Sequence, residues 1–253
     1  VDSKTNSRIQ QLEFLLKQMD KIHLRDAAAI LNVSEMTIRR DLGSEPGSLV
    51  LLGGYIVKDP QRLNENGYFI FEQQSKNIAQ KMQIGKLAAE QIREGDVVFF
   101  DCGSTIPFIA SQISDSLAFT ALCCSINTFM VLQEKSRCNL ILCGGYYSRD
   151  NSFLDAVTLQ NELDVVCPNK AFISAAGVHH QKGVTCFNFN EARVKVKAMH
   201  KSQHSTLVFD DSKINKIQQA YIGEIDQFDQ IICNASLPAE FAQTALPPLI
   251  SKS

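Results

Sequence analysis

Apolar positions at helical spacing open the chain. Ile9, Leu12 and Leu16 fall on one stripe over residues 7–18, the mark of an amphipathic helix. After a short connector, 19–23, the alanine-rich run 24–31 has high helix propensity, and its small Ala28 lets a following helix approach closely. Asn32 stands where the chain must turn sharply, and asparagine tolerates the left-handed conformation better than most residues. Ser34 supplies an N-cap for a helix reaching 42, in which Ile38 and Leu42 share one face. Met36 and Arg40 fall opposite that face, with Thr37 and Arg39 on its shoulders. Helix, tight turn, and a second helix with one anchored face and a basic outer face is the arrangement that puts a helix into the major groove of DNA.

The segment 43–47, Gly-Ser-Glu-Pro-Gly, is a strong turn signal. Two apolar runs follow, 48–52 and 55–57, separated by Gly53-Gly54. A hairpin directly after the second helix reads as the wing of a winged helix-turn-helix, so a first domain is expected over 1–58. Residues 59–75 are polar and mixed and are expected to be a linker. Over 76–253 the pattern changes. A long helical stripe at 78–92 precedes strand-like runs at 97–100, 119–124, 140–143, 171–174, 206–209 and 231–233, with helical patterns between them at 105–113, 128–135 and 191–200. Val97-Val98-Phe99-Phe100 is continuously apolar rather than alternating, as in a parallel strand covered on both faces. The expected architecture is therefore an α+β winged helix-turn-helix followed by an α/β domain with a mainly parallel sheet. The tail from 246, with Pro247-Pro248, is expected to be loose.

Composition narrows this picture without redirecting it. The chain has 253 residues, 45% hydrophobic, with a formal net charge of -2, so no broad basic field marks it as a nucleic-acid binder. Residues 1–50 hold seven Lys or Arg and seven Asp or Glu. DNA binding must then rest on a few well-placed contacts, doubled in a dimer. Eight cysteines occur with no CxxC pair. With no secretory signal pattern and no run of membrane-spanning length, they are expected to be reduced, mostly buried thiols in a cytoplasmic protein. His and Cys spacings do not match a zinc site.

Candidate chemistry lies at strand ends, where ligands bind in parallel sheets. Asp101-Cys102-Gly103-Ser104-Thr105 combines a glycine that allows close approach with two hydroxyls before a helix, a combination suited to a phosphate. Ser125-Ile126-Asn127 and Gly144-Gly145 mark two further strand ends, the glycines permitting close approach of a ligand or of another backbone segment. Lys195 and Lys213 are the candidate cations for a phosphate dianion. The His179-His180 pair lacks a neighbouring nucleophile pattern. Neither a nucleophile elbow, a P-loop nor HExxH is present. Asp101, Asp210 and Lys213 leave an acid–base enzyme open on residue types alone.

Residues 24–42, ending Thr37-Ile38-Arg39-Arg40-Asp41-Leu42, resemble the DeoR-type helix-turn-helix signature. The segments Asp101-Cys-Gly-Ser-Thr105, Ser125-Ile-Asn127, Gly144-Gly145, Glu191-Ala-Arg-Val-Lys195 and Asp210-Asp-Ser-Lys213 resemble the sensor motifs of that family, in the same order. The resemblance implies a bacterial, homo-oligomeric, non-enzymatic repressor without metal or cofactor. Its sensor domain would be similar in fold to ribose-5-phosphate isomerase and would loosen its grip on double-stranded operator DNA when a phosphorylated sugar binds.

A closer likeness within the family, at 21–29, 50–57, 99–103, 143–145, 174–179 and 185–188, implies deoxyribose-5-phosphate as effector and deoxyribonucleoside-catabolic genes as targets. Carried over by residue, Ser34, Glu35, Met36, Thr37, Arg39 and Arg40 would meet DNA. Asp101, Gly103, Ser104 and Thr105 would hold the phosphate end of the effector. Ser125, Asn127, Gly144, Gly145, Lys195, Asp210 and Lys213 would complete the pocket. The alternatives are a family member answering to another phosphosugar, a sugar-phosphate isomerase with an appended DNA-binding unit, and a bare interaction module. The chain departs from the family in two places: Asn32 replaces a frequent glycine in the helix–helix turn, and Val50-Leu51-Leu52-Gly53-Gly54 replaces Arg-x-His-Gly-Gly in the wing, removing two polar wing contacts.

Overall fold

Leu12, Leu16, Ile22, Leu24, Ala27, Ala28, Ile38, Leu49 and Ile56 form the small core of the N-terminal unit. They are the positions that the helical and strand periods put on one side. The computed structural model describes residues 8–9, 11–13, 15–16, 21–43, 49–52, 54–58, 76–158, 160–243 and 246–251. Residues 8, 9, 11–13 and 15 are helical. They are followed by strand β1 (Ile22–His23), helix α1 (Leu24–Ile30), helix α2 (Glu35–Gly43), and strands β2 (Leu49–Leu52) and β3 (Tyr55–Lys58). Asn32 takes a left-handed φ of 52°, which makes the sharp turn between α1 and α2. Ser34 caps α2, its Oγ accepting from the Thr37 N–H at 3.2 Å.

Two features of this unit go beyond the sequence reading. The end of the expected connector, Ile22–His23, is a strand pairing with Ile56 and Tyr55, so the wing has three strands in the order β1-β3-β2. Asp41, quoted above only as part of the helix-turn-helix signature, is buried and paired on both oxygens by Arg8, at 2.6 and 2.9 Å. Helix α2 is thus tied to the N-terminal helix by a fork-to-carboxylate pair, and Leu42 packs only at the margin of the core. The turn 44–48 and the linker 59–75 lie outside the described residues.

The chain divides into two compact units, Val1–Gly67 and Tyr68–Ser253. The second begins, among described residues, with helix α3 (Ile78–Ala89), strand β4 (Val97–Phe100), helix α4 (Ile106–Gln112), β5 (Phe119–Cys123), helix α5 (Ile126–Leu132), β6 (Cys138–Leu142), and the short hairpin β7 (Tyr146–Ser148) and β8 (Phe153–Asp155). It continues with β9 (Lys170–Ser174), β10 (Gly177–His179), β11 (Gly183–Cys186), helix α6 (Phe189–Lys201), β12 (His204–Phe209), β13 (Ala220–Gly223), β14 (Gln230–Cys233) and β15 (Leu249–Ile250). The seven-stranded sheet runs β15-β14-β12-β9-β4-β5-β6, and every neighbouring pair in it is parallel.

Alternation along β4 sends Phe99 to one face and Val98 with Phe100 to the other. Phe99 joins a core with Leu122, Ile173, Leu207 and Met199, while Val98 and Phe100 join Ile84, Ile106, Ile109 and Val208. Burial on both faces is why the β4 run is apolar throughout. The tail is not loose: Leu249 and Ile250 pair with Ile231 and Ile232 and complete the sheet edge. A three-stranded antiparallel sheet, β10-β11-β13, went unread in the sequence. There His179 closes β10, and its ring stacks on His180 at 4.6 Å.

Chain order places the site. From β4 the chain winds outward through β5 to β6, and from β9 it winds the opposite way through β12 and β14 to β15. The reversal falls between neighbours β4 and β9. Ligands in open parallel sheets bind in the crevice beyond the strand ends at such a switch point.

Candidate functional site

On α2, Ile38 is 1% exposed and anchors the helix, whereas Met36 is 74% exposed. Ser34, Glu35, Arg39 and Arg40 are exposed as well. Thr37 is half-buried, its hydroxyl 2.9 Å from Ser34 Oγ. The six residues expected to meet DNA therefore form one continuous strip on and before the first turns of the helix, and the two arginines project from it.

Beyond the ends of β4 and β9 lies a narrow cleft. It is lined by Gly103, Ser104, Thr105, Ser174, Ala175, Ala176, Phe187, Glu191 and Lys213. Gly103 is required here, because a Cβ would sit 1.8 Å from Ser174 Oγ. Its N–H donates to Asp101 Oδ1 at 2.8 Å, which sets the loop that offers Ser104 and Thr105 to the cleft. Lys213 reaches the same cleft from a short 3-10 turn, Asp211–Lys213, capped by Asp210. Loop, hydroxyls and ammonium supply donors and positive charge to the lining. Glu191 presents a carboxylate from the first turn of α6.

Asp101 and Lys195 sit behind this cleft, which corrects their expected role as direct ligands. Both are buried. The Lys195 ammonium pairs with Asp101 Oδ2 and donates to the Ser174 carbonyl at 2.8 Å and Ser174 Oγ at 2.9 Å; Glu191 Oε1 lies 3.1 Å away. Asp101 also accepts from the Ser174 N–H at 2.6 Å. Burial pushes the Lys195 pKa down, but the Asp101 and Glu191 carboxylates outweigh it and hold the ammonium well above its ordinary value. A lysine so matched has no charge left for a phosphate. Its task is to lock β4, β9 and α6 into the shape of the cleft.

Asp210 likewise stands back from the lining. It is buried, and its Oδ1 accepts from Asn77 Nδ2 at 2.9 Å and from Ser212. Near it is Lys81 on α3, a buried lysine the sequence reading passed over. Burial lowers its pKa to about 8, with Asp210 opposing that shift and Lys213 and Lys76 adding to it. A lysine written into an amphipathic helix carries no sign that it will be enclosed.

The remaining expected residues lie elsewhere. Ser125 is buried at the start of α5 and bridges to Phe153. Asn127 faces a separate apolar groove with Met82, Pro107, Phe108 and Met130. Gly144 donates its N–H to Glu162 Oε1 at 3.2 Å. Gly145 is a glycine because a Cβ would stand 2.0 Å from the Asp155 carbonyl oxygen. Of the two openings that this glycine left, close approach of another backbone segment is the one realised. In their place β9 supplies Ser174 and the residues just after it, Ala175 and Ala176, while Phe187 and Glu191 come from the entry to α6.

All eight cysteines are free, and burial raises the Cys123 and Cys186 thiols to about 12, so they are poor nucleophiles. Among the described residues no group of three or more His, Cys, Asp or Glu side chains is placed to hold a metal ion. No described helix is long and apolar enough to cross a membrane.

A winged helix-turn-helix carrying an exposed basic reading strip, in a chain whose second unit is an α/β domain with a switch-point cleft, is the layout of a DNA-binding transcriptional regulator. The chain belongs to the DeoR family: residues 8–60 match the DeoR-like helix-turn-helix domain and residues 76–235 the DeoR C-terminal sensor domain. It is 42% identical over 245 residues to the deoxyribose operon repressor of Escherichia coli K12, covering 97% of this chain and 96% of that one. It is 26% identical to the HTH-type transcriptional regulator GolR of Listeria innocua, covering 97% and 98% of the two chains. Ribose 5-phosphate isomerase A of Neisseria gonorrhoeae overlaps 53% of this chain and 52% of its own at 17% identity, with a TM-score of 0.37.

Proposed function

We propose that this repressor controls genes of deoxyribonucleoside catabolism and is released from its operator by deoxyribose-5-phosphate bound in the switch-point cleft. The observation that carries the reading is the composition of that cleft's lining. Gly103, Ser104, Thr105 and Lys213 suit a phosphate, and Glu191 offers hydrogen-bond acceptors to a sugar. The similarity to the Escherichia coli deoxyribose operon repressor supports the deoxyribose assignment. Ser34, Glu35, Met36, Thr37, Arg39 and Arg40 contact double-stranded DNA in a homo-oligomer, where two copies of α2 lie one helical turn of DNA apart or a multiple of it. The protein works in the cytoplasm without cofactor or metal, and binds its effector without turning it over. Release requires that the effector bind the DNA-incompetent arrangement more tightly than the competent one.

An operator gel shift of the full chain, titrated with deoxyribose-5-phosphate and with ribose-5-phosphate, tests this. Release by the first at concentrations where the second does nothing is expected. No release by either overturns the effector assignment, and formation of a new sugar phosphate on prolonged incubation would restore the isomerase reading.

A further inference from the structure

We propose that Asn151 is the positioning residue for sugar recognition: it holds the Glu191 carboxylate in the lining of the effector cleft and thereby sets the preference for a sugar phosphate over bare phosphate. The inference rests on the effector reading above and adds a residue that does not itself line the cleft.

Asn151 lies in the turn between β7 and β8, 2% exposed. Its Nδ2 donates to Glu191 Oε2 at 3.4 Å, while its Oδ1 is enclosed with no hydrogen-bond partner. An enclosed amide oxygen left unpaired is costly, and the opposite amide orientation would set that oxygen against the carboxylate. The turn itself is strained. Ser152, next in the chain, is fully buried with a left-handed φ of 52°, a conformation that non-glycine residues adopt only when surroundings hold them there. The hold is visible: the Ile126 N–H donates to the Ser152 carbonyl at 3.0 Å, and the Leu154 N–H to the Cys124 carbonyl at 2.9 Å. An uncommon turn is therefore stitched to the end of β5 and brings an asparagine against Glu191.

Glu191 explains why that matters. A carboxylate beside a phosphate site repels the ligand unless cations offset it: Lys195 Nζ, 3.1 Å from Oε1 and shared with Asp101, offsets part of that charge, and Lys213 lines the same cleft. With Oε1 engaged by Lys195 and Oε2 by Asn151, lone pairs remain on a carboxylate that can accept about four hydrogen bonds. Those lone pairs accept from hydroxyl donors, which a sugar phosphate carries on carbons away from its phosphate group, whereas inorganic phosphate carries hydroxyls only on the phosphorus itself. Without Asn151 the Oε2 atom is free to swing, and the gain from meeting hydroxyls falls.

The test compares melting-temperature shifts of the full chain with deoxyribose-5-phosphate and with inorganic phosphate, in wild type, Asn151→Leu and the same-shaped Asn151→Asp, which places an acceptor against Glu191. The preference for the sugar phosphate is expected to drop about tenfold or more in both variants, with a smaller change for phosphate. An unchanged preference in Asn151→Asp overturns the inference, as does an equal loss of both ligands, which would make the turn a fold element only. A wild type that binds phosphate but shows no preference for any sugar phosphate overturns the effector reading and this inference with it. A wild type that prefers the sugar phosphate, beside variants that keep the preference, overturns this inference alone.

Discussion

Helix α2 and the switch-point cleft both carry charged residues, and they hold them in opposite ways. On α2, Arg39 and Arg40 stand in solvent, and only Asp41 is enclosed, matched by Arg8. Around the cleft, Asp101, Lys195, Glu191, Asp210 and Lys81 are all buried, and of the cations expected to meet a phosphate only Lys213 lines the opening. A partner as large and as highly charged as DNA can be met by mobile surface charges. A small ligand needs a preformed cavity, and charges that shape such a cavity must first balance one another.

Breaking the enclosed set should therefore have the largest effect. Asp101→Ala leaves Lys195 with one carboxylate and removes the acceptor for the Gly103 and Ser174 N–H groups. A loss of about 3–5 kcal/mol in urea unfolding is expected, and a value within about 1 kcal/mol of wild type would refute the locking role of the pair. On the exposed side, Arg40→Ala should cost about 1–3 kcal/mol of operator binding, with discrimination relaxed at one base position. Unchanged affinity in a quantitative gel shift removes Arg40 from the base-reading set.

The smallest effect concerns pH. Lys81 has a folded pKa of about 8 against 10.5 for the free side chain, so between those values the unfolded chain holds more protons than the folded one. Stability should rise as pH climbs through that window, and Lys81→Met should flatten the rise. An identical pH profile in the mutant would show that the ammonium is not the group responsible.

Legibility follows the same division. Helix α2, its cap and its turn were readable because each depends on neighbours in sequence: Ser34 on the Thr37 N–H, Asn32 on its own backbone, Ile38 and Leu42 on a helical repeat. The parallel strands were readable as apolar runs, with ends displaced by one or two residues. Strands β1 and β15, each two residues long, have no period to read, and only their partners make them strands. In the cleft, Gly103, Ser104, Thr105 and Lys213 were named from local pattern and do line it. Ser174, Ala175, Ala176 and Phe187 fall in segments that carry the closer likeness but were not named as site residues, because nothing in their local pattern marks a ligand contact. The first three are brought in by the pairing of β9 with β4 across about seventy residues of chain, and Phe187 by the entry to α6.

By itself, then, the amino-acid order determined the reading head, the α/β alternation and the phosphate-like loop, since those rest on caps, turns and periodicity acting over a few residues. Tertiary structure decided which charges stay available. Lys195 and Lys213 look alike as side chains in a sequence. The first is enclosed by Asp101, Glu191 and Ser174 and the second opens to the cleft, because strand order sets β9 beside β4 and turns α6 inward. Desolvation and pairing depend on what surrounds a group in space, and that is a property of the assembled sheet.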